Sequence, residues 1–281
     1  MIEQVGIMKR RQSNQPVVLP TQIRTGSVFT QGGYFGLSSR PLHTLIFLLP
    51  MIIFYEIGSM GFLGSDGVAK LQAQDLLVRF FDLFGVLGLH LPALALVTTL
   101  IIQHVLSRDS WRIVPAVPLA MIAESAFLTG PLIILVIILN PQASSMAAMM
   151  LENASAPITI FDHPFWEGLY LSFGAGLYEE MLFRLVLITI LHFLITDVLS
   201  FKDRTGKVIA VVLSALAFAW LHSSVYAPGT GLNLRLAIFY TLAGVYFGVL
   251  FLTRGFGIAV GAHLCYDLLV LVVMPGIQDQ S

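Results

Sequence analysis

Seven stretches of this chain are apolar over the length of a membrane-crossing helix, and that limits what it can fold into. A hydrocarbon core takes about 20 residues of helix to cross. The stretches lie at about 42–63, 83–105, 113–139, 168–196, 207–226, 234–253 and 256–274. Composition points the same way: 57% of the 281 residues are hydrophobic and 11% are charged, about half the globular norm of roughly 25%. The expected fold is an all-α polytopic membrane protein, a single bundle of about seven transmembrane helices over residues 41–275. A net charge of -1 offers no surface for nucleic acid or acidic substrates, and the lone Cys265 cannot form an intrachain disulfide.

Around this bundle the chain reads simply. Residues 1–40 are polar, without the apolar core of a signal peptide, and are expected to form a mobile cytoplasmic tail; 276–281 form a short tail at the other end. Segment 66–82 suits an extra amphipathic helix lying in the interface. With the N-terminus inside, eleven of the fifteen Lys and Arg fall on the cytoplasmic side and three on the other, leaving Arg184 within a span. That bias predicts a cytoplasmic N-terminus, and an integral, multi-pass protein of the bacterial inner membrane is the expected setting. The longest loop, 140–167, contains Pro141, Pro157 and Pro164 and no Lys or Arg, which places it outside; its Asn153-Ala154-Ser155 is a formal glycosylation sequon.

Polar chemistry inside the apolar spans then demands a reason. An ionisable side chain at the bilayer centre costs roughly 2.5–3.5 kcal/mol on insertion scales. The fourth span carries Glu179 and Glu180 with Arg184 four residues after Glu180, so Glu180 and Arg184 share a helix face while Glu179 points about 100° away. On the fifth, Phe218 and His222 repeat the spacing, letting a ring shield one side of the imidazole. The seventh repeats it again with His263 and Asp267, and the carboxylate is expected to orient the ring through one nitrogen.

Plainer readings compete with each feature. A buried Glu180-Arg184 pair alone is more often helix packing than catalysis, and Phe218 is packing on any reading. His90, His104 and His192 read as interfacial or satisfied core groups, whereas Glu56 and Glu124 have no local partner and either face a cavity or pair across helices. Gly244-x-x-x-Gly248 and Gly257-x-x-x-Gly261 predict tight packing of the sixth against the seventh span. Pro115, Pro118 and Pro131 predict a bend in the third.

Taken in order, the motifs Glu179-Glu180-Met181-Leu182-Phe183-Arg184, Phe218-Ala219-Trp220-Leu221-His222 and His263-Leu264-Cys265-Tyr266-Asp267 resemble those of the CAAX-protease and bacteriocin-processing family of intramembrane endopeptidases. The resemblance covers about 168–270. It implies peptide-bond hydrolysis in the membrane, with Glu179 as general base assisted by His222. It also implies that His263 and residue 267 polarise the scissile carbonyl, while Glu180 and Arg184 hold the helix and set the field. Members nearest the eukaryotic enzyme carry Asn at the last position. Asp267 departs from that, which favours His263 as the oxyanion donor with Asp267 orienting it.

The resemblance implies a membrane-embedded or membrane-associated peptide substrate and no cofactor or metal. Two histidines with Glu179 or Asp267 leave a zinc-dependent version of the same hydrolysis as the alternative, although no HExxH is present. No GxSG or GxGD signature supports serine or aspartyl intramembrane chemistry. A proton-coupled carrier would use similar residues but is expected to show internal repeats, which this chain lacks. An idle immunity or scaffold protein would not need competent residues at every motif position.

Overall fold

The computed structural model describes residues 33–62, 71–82, 88, 90–139, 163–222, 225–227 and 231–273. Six of its helices are long and apolar enough to cross a membrane: Pro41–Met60, Ala116–Leu139, Phe165–Val198, Asp203–Leu221, Leu234–Arg254 and Phe256–Val273. Helices dominate because a chain in lipid has to satisfy its backbone polar groups internally. The all-α polytopic bundle is therefore the fold.

Differences from the sequence reading lie at the ends of elements. The second stretch is a shorter apolar helix, Leu91–Ser107, of 17 residues rather than 83–105. Its rise of about 26 Å falls short of a full crossing of about 30 Å. Helix α1 (Gly33–Ser38) forms within what sequence assigns to a mobile tail. It is followed by α2 (Pro41–Phe62) and α3 (Gln72–Asp82). The latter buries Ala73, Gln74 and Leu77 on one face, the stripe expected of an interfacial helix. The sequon, Pro141, Pro157, the 276–281 tail and residues 1–32 lie outside the described residues.

Helix α4 (Leu91–Ser107) leads to α5 (Ala116–Leu128) and α6 (Gly130–Leu139). The break at Thr129 falls just before Gly130-Pro131, where Pro131 lacks an N–H to continue the ladder. Thr129 Oγ1 donates to Ser125 O (3.0 Å) and lies 3.3 Å from Ala262 O, tying the break to the last span. Pro115 and Pro118 sit at the start of α5, where missing donors are harmless.

The fourth span is a rod: α7 (His163–Glu180), a π-helical segment Met181–Ile188, α8 (Thr189–Phe193) and a second π segment Leu194–Val198. Then come α9 (Asp203–Leu221), a two-residue antiparallel ribbon pairing Tyr226–Ala227 with Gly231–Leu232, α10 (Leu234–Arg254) and α11 (Phe256–Asp267). The last helix also turns π, over Leu268–Val273.

Glycines bring the spans together, though not the pair that sequence suggested. A Cβ on Gly244 would lie 2.8 Å from Ala215 Cα, and one on Gly248 2.9 Å from Val211, so the sixth span packs through them on the fifth. Gly257 faces Met121 and Thr44, and Gly261 faces Ser125 and Phe47, so the seventh packs through them on the first and third spans. The fourth and seventh meet at Gly176, where a Cβ would lie 3.2 Å from Leu264 N.

Both unpartnered acids of the sequence reading pair across helices. Arg254 Nε and Nη2 donate to the two oxygens of Glu124 at 2.6 and 2.8 Å. Tyr34 donates to the same carboxylate at 2.5 Å, and Arg254 Nη2 reaches Ser38 Oγ at 3.1 Å, which secures α1. The guanidinium also lies 4.3 Å from the centre of the Phe35 ring. Glu56 pairs with His90 and accepts the Tyr178 hydroxyl.

Candidate functional site

The site is assembled where α7 and α11 each give way to π geometry. Glu180 is the last α-helical residue before one π segment, and Asp267 the last before the other. Such widened turns are frequent at functional positions, although a further one, Leu194–Val198, lies away from the cavity. One turn before Glu179, Gly176 lets the two helices close to backbone contact at Leu264, beside His263. Without that gap the carboxylates and the imidazole would stand a side chain further apart.

His222 reaches the same place from the end of the fifth span. It is the first residue beyond α9, with extended backbone, and its Nδ1 donates to Phe218 O at 2.8 Å. A carbonyl only accepts, so Nδ1 carries the proton and Nε2 points onward to the site. The ring lies 4.6 Å from that of Phe218 and stacks on Tyr240 at 3.9 Å. His263 is stacked on Phe247 at 4.6 Å and 18°.

Glu179 sits between the two imidazoles. Its Oε2 is 3.7 Å from His222 Nε2 and 3.8 Å from His263 Nε2. Both gaps exceed hydrogen-bond length, so neither imidazole closes off the Glu179 oxygen with a direct bond. A cavity of about 210 Å³ opens here, lined by Glu179, His222, His263 and Asp267 together with Phe218, Tyr240 and Phe247. Leu71, the residue preceding α3, also lines it, so the cavity lies toward the end of the bundle that carries α3 rather than the end that carries α1.

Beneath the cavity lies a dry layer. Glu180 and Arg184 are fully buried, with Arg184 Nε 3.2 Å from Glu180 Oε2. Arg184 Nη2 donates to Gly244 O at 3.3 Å, a carbonyl that the missing side chain leaves open. Its guanidinium lies 4.6 Å from the Phe218 ring centre and 5.4 Å from that of Phe247, so cation–π attraction replaces part of its lost hydration. The other Glu180 oxygen accepts from His263 Nδ1 at 2.9 Å.

That last contact is shorter than the one expected between His263 and Asp267. The i,i+4 spacing does bring the pair together, but Asp267 Oδ2 lies 3.5 Å from Nε2, too far for a good hydrogen bond. Nδ1 is held by Glu180, so Glu180 orients the ring. Asp267 instead shares the Nε2 face with Glu179.

The seven residues singled out by sequence thus gather around one cavity and the layer under it. Sequence reading missed Tyr240, Phe247 and Gly176. A tyrosine inside the apolar sixth span was the available signal for the first; nothing local distinguishes Phe247 from ordinary packing. Glu179 Oε2, Glu180 Oε2, Arg184 Nε and Arg184 Nη1 are buried without a hydrogen-bond partner among the described residues. No set of three His, Cys, Asp or Glu side chains among those residues is grouped to hold a metal.

These features define a helical membrane protein with a cavity among its spans that is lined by acidic and imidazole side chains. Residues 161–269 match the family model described as type II CAAX prenyl endopeptidase Rce1-like. The matched segment runs from the start of α7 to just beyond Asp267 and so contains every residue of the site named by sequence. No curated protein and no solved structure gives a significant match.

Proposed function

We propose that the protein is an intramembrane endopeptidase that hydrolyses peptide bonds of membrane-associated or lipid-modified substrates with a glutamate-activated water. The observation that carries this reading is Glu179 Oε2 placed 3.7 and 3.8 Å from two imidazole nitrogens at the wall of one cavity. A water lodged there meets a carboxylate and an imidazole Nε2 as acceptors. Glu179 takes its proton as the oxygen attacks the scissile carbonyl, and the neutral His222, protonated at Nδ1, offers Nε2 as a second acceptor. His263 has Nδ1 engaged by Glu180 and presents Nε2 to the developing oxyanion.

The proton held by Glu179 then passes to the departing amine as the C–N bond breaks. Asp267, on the same nitrogen face of His263, supports the positive ring rather than orienting it. Arg184 neutralises Glu180, so the pair of adjacent carboxylates does not force Glu179 to stay protonated. The charge bias of the loops favours a cytoplasmic α1 end, with the cavity toward the other side; a bacterial inner membrane is the proposed setting.

Purified protein in lipid, given membrane peptides including prenylated tails, should produce trimmed products that Glu179→Gln abolishes without unfolding. Activity should persist in chelator. Cleavage that a chelator abolishes and zinc restores would replace this mechanism with the metal-dependent one.

A further inference from the structure

Outside the matched segment, two adjacent residues of α2 reach three other elements. Tyr55 is buried, stacks on Tyr170 at 4.6 Å, touches the Tyr178 ring edge-on at 5.0 Å and donates to Gln74 Oε1 of α3. Beside it, Glu56 accepts the Tyr178 hydroxyl on Oε1 and meets His90 Nδ1, just before α4, on Oε2. A carboxylate inside a span calls for a partner or a role. Here its partner is the residue immediately before Glu179.

Neighbouring helical residues leave the axis about 100° apart. Holding the Tyr178 hydroxyl on Glu56 therefore fixes the angle at which Glu179 projects into the cavity. A side-chain group stands about 6 Å from the helix axis, so a 20° rotation displaces it by about 2 Å. Misplacement by about 1 Å can cost roughly a hundredfold in rate. Restraint is needed here in particular, because the helix turns π directly after Glu180 and its regular ladder ends there.

We propose that Glu56 is a positioning residue for the general base, acting through the Tyr178 hydroxyl. This rests on the reading of Glu179 as that base. The first span then helps to position the general base, although the three motifs all lie beyond it.

The test compares Tyr178→Phe, Glu56→Ala and Glu56→Gln in the full-length protein, checked for folding by detergent gel filtration and melting. Two readouts are used: kcat and KM on a cleaved peptide, and the rate at which a small cationic thiol reagent modifies Glu179→Cys in a Cys265→Ser background. Tyr178→Phe and Glu56→Ala should each lower kcat about tenfold or more at unchanged KM. The two together should do no more damage than either alone. Glu56→Gln keeps an oxygen that accepts from tyrosine and should return kcat to within about threefold of the parent.

Labelling at position 179 should shift severalfold with the first two changes and recover with Glu56→Gln. Unchanged kcat in folded Tyr178→Phe, a change in KM alone, or labelling that ignores residues 56 and 178 would each overturn the proposal. If the parent cleaves no peptide while labelling responds as expected, the protease reading fails and the positioning of residue 179 stands.

Discussion

Two acid–arginine clusters hold this bundle together, and they are finished to different degrees. At the α1 end, Glu124 has both oxygens taken by Arg254 and one shared with Tyr34, while the guanidinium reaches on to Ser38. Around Glu180 and Arg184 four polar atoms are buried without a hydrogen bond among the described residues, one of them the Glu179 oxygen that faces both histidines. A structural ion pair gains by closing every valence, since an unmade bond to a buried group costs about 1–3 kcal/mol or more. A site that must act on water and a carbonyl has to leave donors and acceptors open. The contrast separates a fastener from the proposed reaction centre, though both contain a glutamate–arginine pair.

The sharpest way to break that contrast is at the open carboxylate. Glu179→Gln should lower peptide cleavage by roughly 10²–10⁴-fold while leaving the melting temperature near that of the parent; a variant with full turnover would remove Glu179 from the chemistry. Next in size is Arg184→Met, which strands buried Glu180. It should destabilise the protein by about 3–5 kcal/mol, read as an early melt, with activity lost through unfolding. If Arg184→Met melts normally, the dry layer is not held by that pair.

A smaller effect is expected at the fastener. Arg254→Met removes charge-assisted bonds worth about 1.5–3 kcal/mol each at most, from groups some 15% exposed. It should lower the melting temperature and loosen the α1 segment to proteolysis without changing kcat, and a fall in kcat in the intact variant would erase the distinction between the clusters. Smallest is Asp267→Asn. Because Glu180, not Asp267, holds His263 Nδ1, turnover should fall by less than about tenfold; a loss as large as that of Glu179→Gln would return the orienting role to Asp267.

Several features were legible in the chain alone because the signal is local. The i,i+4 spacing of Glu180 with Arg184 and of His263 with Asp267 brings each pair within 4 Å, as helical geometry requires. Apolar length identified most of the spans, and the spacing of apolar positions in 66–82 identified an amphipathic helix there. The misses are contacts between helices: which glycine pair faces which neighbour, and which carboxylate takes His263 Nδ1. A glycine carries no mark of its partner, and the same imidazole has two acids within reach whose claim depends on the rotation of another helix.

Sequence by itself determined that this protein is a helical bundle in lipid with acids, histidines and an arginine buried in three of its spans. Spacing along one helix and the insolubility of open backbone in hydrocarbon are enough for that. Only the tertiary structure decided that Glu179 stands between two imidazoles, that Glu180 rather than Asp267 steadies one of them, and that Glu56 reaches Tyr178. Each of those depends on how far neighbouring helices approach and turn, down to a missing side chain at Gly176, and no single segment encodes the rotation of its neighbour.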